Sequence, residues 1–176
     1  MDLIIRQEEP ADYTAVFELI EQAFATEELS DHQEQFLVER LRHSAAFIPE
    51  LSLVAEIGST IVGHILLTRI FIKSTQRTYK SLALAPVSVL PEYQRKGIGG
   101  SLIQYAHSGA KELGYQSVIL LGHENYYPRF GYQQAHTFGI VLPFEAPKEN
   151  CMAIPLTENG LKGVSGTVVY PKEFMV

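Results

Sequence analysis

The chain has 176 residues, 46% of them hydrophobic and 19% charged, with a net charge of −6. Those proportions exclude a disordered chain, and the acid excess argues against nucleic-acid binding, which needs clustered Lys and Arg. No apolar run reaches membrane-spanning length, the single cysteine Cys151 allows no intrachain disulfide, and the opening MDLIIRQEEPADY carries no secretory pattern. A cytoplasmic protein with neither a nucleic-acid nor a membrane partner is therefore expected. The length predicts one domain that buries about 70% of its unfolded surface.

Leu3 to Arg6 reads as a first strand. Pro10 suits the first turn of a helix, whose apolar face would be Tyr13, Val16, Phe17, Ile20 and Phe24. A second helix is expected from Asp31, with Glu34 completing a capping box and Phe36, Leu37 and Leu41 facing inward. Leu51 to Ile57 is a strand, Gly58-Ser59 a two-residue hairpin signal, and Thr60 to Ile72 the returning antiparallel strand. Glu56 and His64 share a face of that hairpin, either as ordinary polar sheet positions or as part of an active cleft. Lys73 to Lys80 reads as a polar loop. Leu82 to Leu90 is an apolar run, polar only at Ser88, and so a buried strand.

Pro91 ends that run, and Gln94-Arg95-Lys96-Gly97-Ile98-Gly99-Gly100 follows as a glycine-rich bend beside two cations. Leu102, Ile103, Ala106, Ala110 and Leu113 then recur at helical spacing. A helix start has backbone N–H groups without partners and a positive dipole end, and glycines let an anion come close. A phosphate or pyrophosphate fits this arrangement, and an ordinary strand–turn–helix with a basic loop is the alternative. A Walker loop is excluded because no Lys sits beside Ser101. A dinucleotide fingerprint is excluded because Leu102 occupies its last glycine position. Ser117 to Leu121 is a further strand, so the helix makes a parallel crossover. Beyond His136, Ile140 to Leu142 and Met152 to Ile154 look like strands, and Gly160 to Tyr170 like turns with a last strand.

The Gln/Arg-x-x-Gly-x-Gly/Ala pattern at Gln94 to Gly99 resembles the GNAT superfamily of N-acetyltransferases. So does Tyr126-Tyr127-Pro128-Arg129-Phe130-Gly131-Tyr132, an aromatic-Tyr-x-x-x-Gly-aromatic segment downstream. The resemblance spans roughly Leu3 to Ala135. The string Gly122 to Tyr132, with the tail Leu161 to Gly166, is most similar to the YhbS-like branch. The resemblance implies an α/β fold with a mixed central sheet flanked by helices and splayed strands at an acetyl-CoA site. One N-acetyltransferase domain would cover residues 1–176, with its core at 3–135 and C-terminal strands and turns over 136–176. It also implies acetyl transfer from acetyl-CoA to a primary amine of a small molecule or peptide, with no metal and with a homodimer allowed. A non-catalytic acyl-CoA-binding or sensing module is the alternative.

By the same resemblance, the backbone of Val87, Ser88 and Val89 holds the pantetheine arm. Gln94, Arg95, Lys96, Gly97, Ile98, Gly99 and Gly100 hold the pyrophosphate, and the acceptor lies along Thr26 to Gln33. Asn125 either holds a pantetheine amide or caps a short helix, and Tyr126 is structural. Tyr127 takes the place of the family's general acid. A phenol near pKa ~10 is a weaker acid than a thiol near ~8.5, so hydrogen-bond donation to the leaving sulfur is the complementary role. No Asp, Glu or His lies between Leu82 and Val89, where many such enzymes place a base. His123 and Glu124, acting directly or through water, are the leading candidates, with Glu56 and His64 behind them. Freeing a lysine-like amine at pH 7 costs roughly 4.6 kcal/mol, against about 1.4 kcal/mol for an α-amine, so the need for a base depends on the acceptor.

Overall fold

A computed structural model describes residues 2–175. Its strands are β1 (Leu3–Gln7), β2 (Ser52–Ile57), β3 (Thr60–Lys73), β4 (Thr78–Val89), β5 (Ser117–Leu121), β6 (Gln133–Gln134), β7 (Ile140–Val141), β8 (Cys151–Pro155) and β9 (Gly166–Val169). The helices are α1 (Tyr13–Phe24), α2 (Glu34–Arg42) and α3 (Ile98–Glu112). The strands join one mixed sheet in the order β1-β2-β3-β4-β5-β8-β6, and β9 bridges β3 and β7. The strand–helix–strand crossover expected around the glycine bend is present: β4 and β5 run parallel, with α3 between them in sequence.

Alternation along the strands divides the core into layers. Leu53, Ala55, Ile65, Leu67, Leu82, Leu84, Val118 and Leu120 point to one face and bury Ile98, Leu102, Ile103, Ala106 and Ala110 of α3. Gly63 is what lets that helix lie so close. A Cβ there would sit 2.9 Å from Leu102 Cδ1 and 3.3 Å from Ile98 Cγ2. Leu102 is fully buried, and truncating it to Ala would cost about 2–5 kcal/mol. On the opposite face, Val16, Leu19 and Ile20 of α1 pack with Val38 and Leu41 of α2 over Val54 and Leu66. The C-terminal segment covers the rest of that face, placing Leu142, Leu161 and Val168 against Ala83, Ile119 and Ala153.

Several local expectations shift. The second helix starts at Glu34, not Asp31, and no capping box forms there. Asp31 instead accepts the Gln33 N–H at 2.9 Å, Glu34 accepts the Ser30 hydroxyl at 2.5 Å, and His32 takes φ +60°, which interrupts a helical path. Phe36 does not face inward: it is 41% exposed and meets Phe17 edge-on. Tyr13 is likewise partly exposed, under the Arg42 guanidinium at 3.9 Å, and Leu19 takes its place on the buried face of α1. The loop expected over Lys73 to Lys80 contracts to the turn at residues 74–77, because β3 and β4 continue pairing out to Lys73 and Thr78.

Glu56 and His64 lie on the α1/α2 face of the hairpin, but neither is free. Glu56 accepts from Arg6, which also binds Asp12. His64 is fully buried, with Nε2 3.3 Å from Ser52 Oγ and 3.6 Å from Glu8, which is held by Arg42 at 2.7 Å. Burial drives the His64 pKa down to about 4, against the pull of Glu8. The ring is therefore neutral, and its approach to Glu8 is not an ion pair. A native pKa below the unfolded value means the unfolded chain binds the proton first. Stability is complete above the ordinary imidazole range and is lost as pH falls through it, by up to about 3 kcal/mol near the lower limit. Urea unfolding between pH ~6.5 and ~5, above most carboxylate titration, should show this loss. His107, which burial also lowers to about 4, contributes in the same window, so His64→Gln should reduce the slope without abolishing it; an unchanged slope in that variant would remove His64 as a source.

Candidate functional site

The site is built on an interruption of the sheet. Among the described residues, β4 pairs with β5 only at Leu82–Val118 and Ala83–Ile119, and from Leu84 to Val89 its sole strand neighbour is β3. The Leu90 N–H bonds Val62 O at 2.9 Å. By antiparallel alternation, Ser88 also directs its backbone groups to β3, while Val87 and Val89 direct theirs to the open side. Ser88 thus differs from its two neighbours: its backbone is engaged, and its hydroxyl is buried opposite His64 with no hydrogen bond among the described residues.

The bend after β4 has the geometry its glycines suggest. Gln94 reaches back to donate to Val89 O at 3.0 Å, fixing the bend to the strand end. Arg95 and Gly97 adopt φ +64° and +84°, and Gly97 caps α3. The first helical hydrogen bond runs from Ser101 N–H to Gly97 O at 3.0 Å, so Ile98, Gly99 and Gly100 present N–H groups without helical partners. Arg95 and Lys96 are exposed beside them. The cluster combines oriented donors, a positive helix end and two full charges, which is a physical description of an anion site.

The downstream aromatic segment folds back against this bend. Residues Tyr127–Phe130 form a short 3-10 turn ending at Gly131 in the left-handed region, φ +104°. A Cβ on Gly99 would sit 3.0 Å from Tyr126 Oη, and one on Gly100 3.1 Å from the Phe130 ring, so both glycines also serve packing. Arg129 braces the turn from Tyr126 O at 2.9 Å, with its guanidinium 4.7 Å from the Tyr126 ring centre. The Tyr127 ring packs edge-on to Tyr126 and Tyr132 and occupies the space that a side chain at Gly122 would fill. Burial, and secondarily Tyr126, hold the Tyr127 phenol well above its ordinary pKa. It is therefore a persistent hydrogen-bond donor and a poor acid. Tyr132 is anchored by its hydroxyl, 2.7 Å from His107 Nε2.

His123 follows β5 and lies 3.2 Å from Glu27 of the segment between α1 and α2. That contact joins the stretch expected to line the acceptor to the leading base candidate. Glu124 and Asn125 are exposed, and neither side chain makes a hydrogen bond among the described residues; Asn125 contributes its carbonyl, to Arg129 at 3.4 Å. Sequence reasoning reached Glu27 only as part of the Thr26 to Gln33 stretch and Arg129 only as part of the aromatic segment, and it missed Asn150. The last of these binds Gly122 O through its amide at 2.9 Å while its own carbonyl accepts the Gly122 N–H at 2.9 Å. Nothing local marks Asn150, or the contacts that Glu27 and Arg129 make. Glu56 and His64 drop out as base candidates because both are committed to the polar clusters under α1 and α2.

Comparison with known proteins gives a consistent picture. The acetyltransferase (GNAT) domain family matches residues 4–135. The uncharacterized N-acetyltransferase YjhQ of Escherichia coli (strain K12) is 39% identical over 119 residues, 67% of this chain and 66% of that protein. The chain thus spans about two thirds of the length of YjhQ. The uncharacterized N-acetyltransferase YhbS of the same strain is 23% identical over 98% of both chains. Among solved structures, Escherichia coli YhbS in complex with CoA superposes with a TM-score of 0.87 at 24% identity, covering 99% of this chain and 92% of that one. A GNAT family acetyltransferase from Brucella melitensis in complex with acetyl-CoA gives 0.79 at 30% identity, covering 98% of each. With three quarters of its length inside that domain family, and the split sheet and glycine-capped helix in place, the chain belongs to the GNAT acetyltransferases.

Proposed function

We propose that this protein transfers the acetyl group of acetyl-CoA to a primary amine. The observation that carries the reading is the free edge of β4 leading directly into the αL-capped start of α3. The outward backbone groups of Val87 and Val89 would bind the pantetheine amides. The N–H groups of Gly97, Ile98, Gly99 and Gly100, with Arg95 and Lys96, would bind the pyrophosphate, and Gln94 would keep the bend in register with the strand. The acetyl-CoA complex of the Brucella melitensis relative supports the same ligand.

In the reaction, the neutral amine attacks the thioester carbonyl, a C–N bond forms, and the C–S bond breaks as the tetrahedral intermediate collapses. His123, oriented by Glu27, takes the proton from the amine, and Glu124 stands beside it as the next acidic group. The coenzyme leaves as a thiolate. Tyr127 donates a hydrogen bond to that sulfur without giving up its proton, because burial makes its phenol a weaker acid than the departing thiol. Asn125 completes the rim beside the donor.

Tyr127→Phe should keep acetyl-CoA affinity, since the ring still packs, and lower kcat by about 10²-fold, as measured by thiol release during amine acetylation. Because its pKa is raised, Tyr127 should cause no alkaline loss of activity below pH ~10. Near-normal turnover would reduce Tyr127 to a packing residue. Separately, His123→Ala should lower kcat/KM for amine acetylation, and Glu27→Gln should lower it by less. Near-wild-type kcat/KM in both variants would assign proton removal elsewhere, with Glu124→Gln as the next variant to measure.

A further inference from the structure

The segment between β6 and β8 lies beyond the residues that match the GNAT domain family, and it builds a groove of its own. The groove encloses about 610 Å³ and is walled by Ile140, Val141, Leu142, Phe144, Pro147 and Cys151. That volume lies within the ~300–1,000 Å³ of small-molecule pockets. Its walls are set before any ligand arrives: Phe144 stacks on Tyr170 at 5.9 Å, and Cys151 Sγ points to Pro147 O at 3.5 Å. Yet Val141 is 58% exposed and Phe144 41%. The polar groups around it, Glu145, Lys148 and His136, are of mixed character, so the groove offers apolar area and not a single-sign field.

Its position ties it to the reaction. Cys151, in the groove wall, is the register partner of Leu121 at the end of β5, and Leu121 itself is 49% exposed. Asn150 is clamped to Gly122 by two 2.9 Å hydrogen bonds. The residue after Gly122 is His123. The groove wall is thus fastened one residue from the proposed base, on the sheet face that carries Ala83, Ile119 and Ala153, opposite to α3.

We infer that this groove receives the body of the acceptor, which makes the substrate class a primary amine carrying an aromatic or branched aliphatic group. The inference rests on the acetyltransferase reading above. The amine end reaches the His123–Glu27 pair while the apolar end lies along Val141, Phe144 and Cys151. A short or highly charged polyamine would leave those walls in water and gain nothing from them.

The test compares 2-phenylethylamine with ethylamine as acceptors in the presence of acetyl-CoA, and as ligands of the CoA-saturated protein followed by amide NMR. Burial of a ring in an apolar pocket should raise kcat/KM for 2-phenylethylamine over ethylamine by on the order of 10-fold or more. It should also shift amides of residues 140–151. In Val141→Glu the ratio should fall towards one, and the 140–151 shifts should disappear. Comparable kcat/KM for both amines, or shifts confined to residues outside 140–151, would overturn the inference while leaving the acetyltransferase reading intact. Binding in the groove without CoA release would support the groove and count against acetyl transfer. Concentration-dependent shifts at 140–151 without any amine would show that the face meets a second copy of the chain, and would also overturn it.

Discussion

Pairing between β4 and β5 stops after Leu82–Val118 and Ala83–Ile119, and the proposed chemistry depends on that stop. A longer ladder would satisfy the backbone of Val87 and Val89 within the sheet and leave no gap for a ligand. The break persists because both strands are held from their other sides. β4 stays paired with β3 out to Gly63–Val89, across a one-residue register shift between Leu84 and Val87, and β5 keeps its register with β8 from Ser117 to Leu121. The strands diverge while each stays paired on its other side, and the Val87 backbone and the Val89 N–H on the open edge are left to find partners in solvent or ligand.

The remaining parts of the site are fixed to the two sides of this gap. On the β4 side, Gln94 ties the bend to Val89, and Gly99 and Gly100 admit Tyr126 and Phe130. On the β5 side, Gly122 admits the Tyr127 ring, accepts a hydrogen bond from the Asn150 amide and donates one to the Asn150 carbonyl. Small residues therefore act twice here, allowing close approach of a ligand at one point and of an aromatic ring at the next. The buried Arg42–Glu8–Ser52–His64 cluster does different work. It joins α2 to β2 and β3 beneath the sheet, and losing one partner of such a buried charged pair typically costs about 3–5 kcal/mol.

What was legible in the sequence was local. The apolar run, glycine bend and helical repeat from Leu82 to Leu113 are contiguous, so their periods identify β4, the bend and α3 directly. Tyr127 was singled out through the contiguous aromatic segment that resembles the family's motif, four residues before Gly131. The failures were tertiary or turn-specific. Asp31 and Glu34 have the spacing of a capping box, but Asp31 closes a turn on Gln33 instead. His64 and Glu56 alternate as cleft residues would, and only the packing of α1 and α2 shows them committed elsewhere. Glu27 meets His123, and Asn150 meets Gly122, across long sequence separations that carry no periodic signal. The C-terminal groove was invisible because its walls come from short strands and turns that read only as irregular chain.

Amide hydrogen exchange along β4, with and without acetyl-CoA, addresses the split sheet most directly. In the free protein, Ser88 should exchange slowly because its N–H faces β3, while Val87 and Val89 should exchange faster from the open edge. Acetyl-CoA should slow Val87 and Val89 and leave Ser88 nearly unchanged. Saturation with acetyl-CoA that leaves Val87 and Val89 as fast as before would contradict a donor site between β4 and β5.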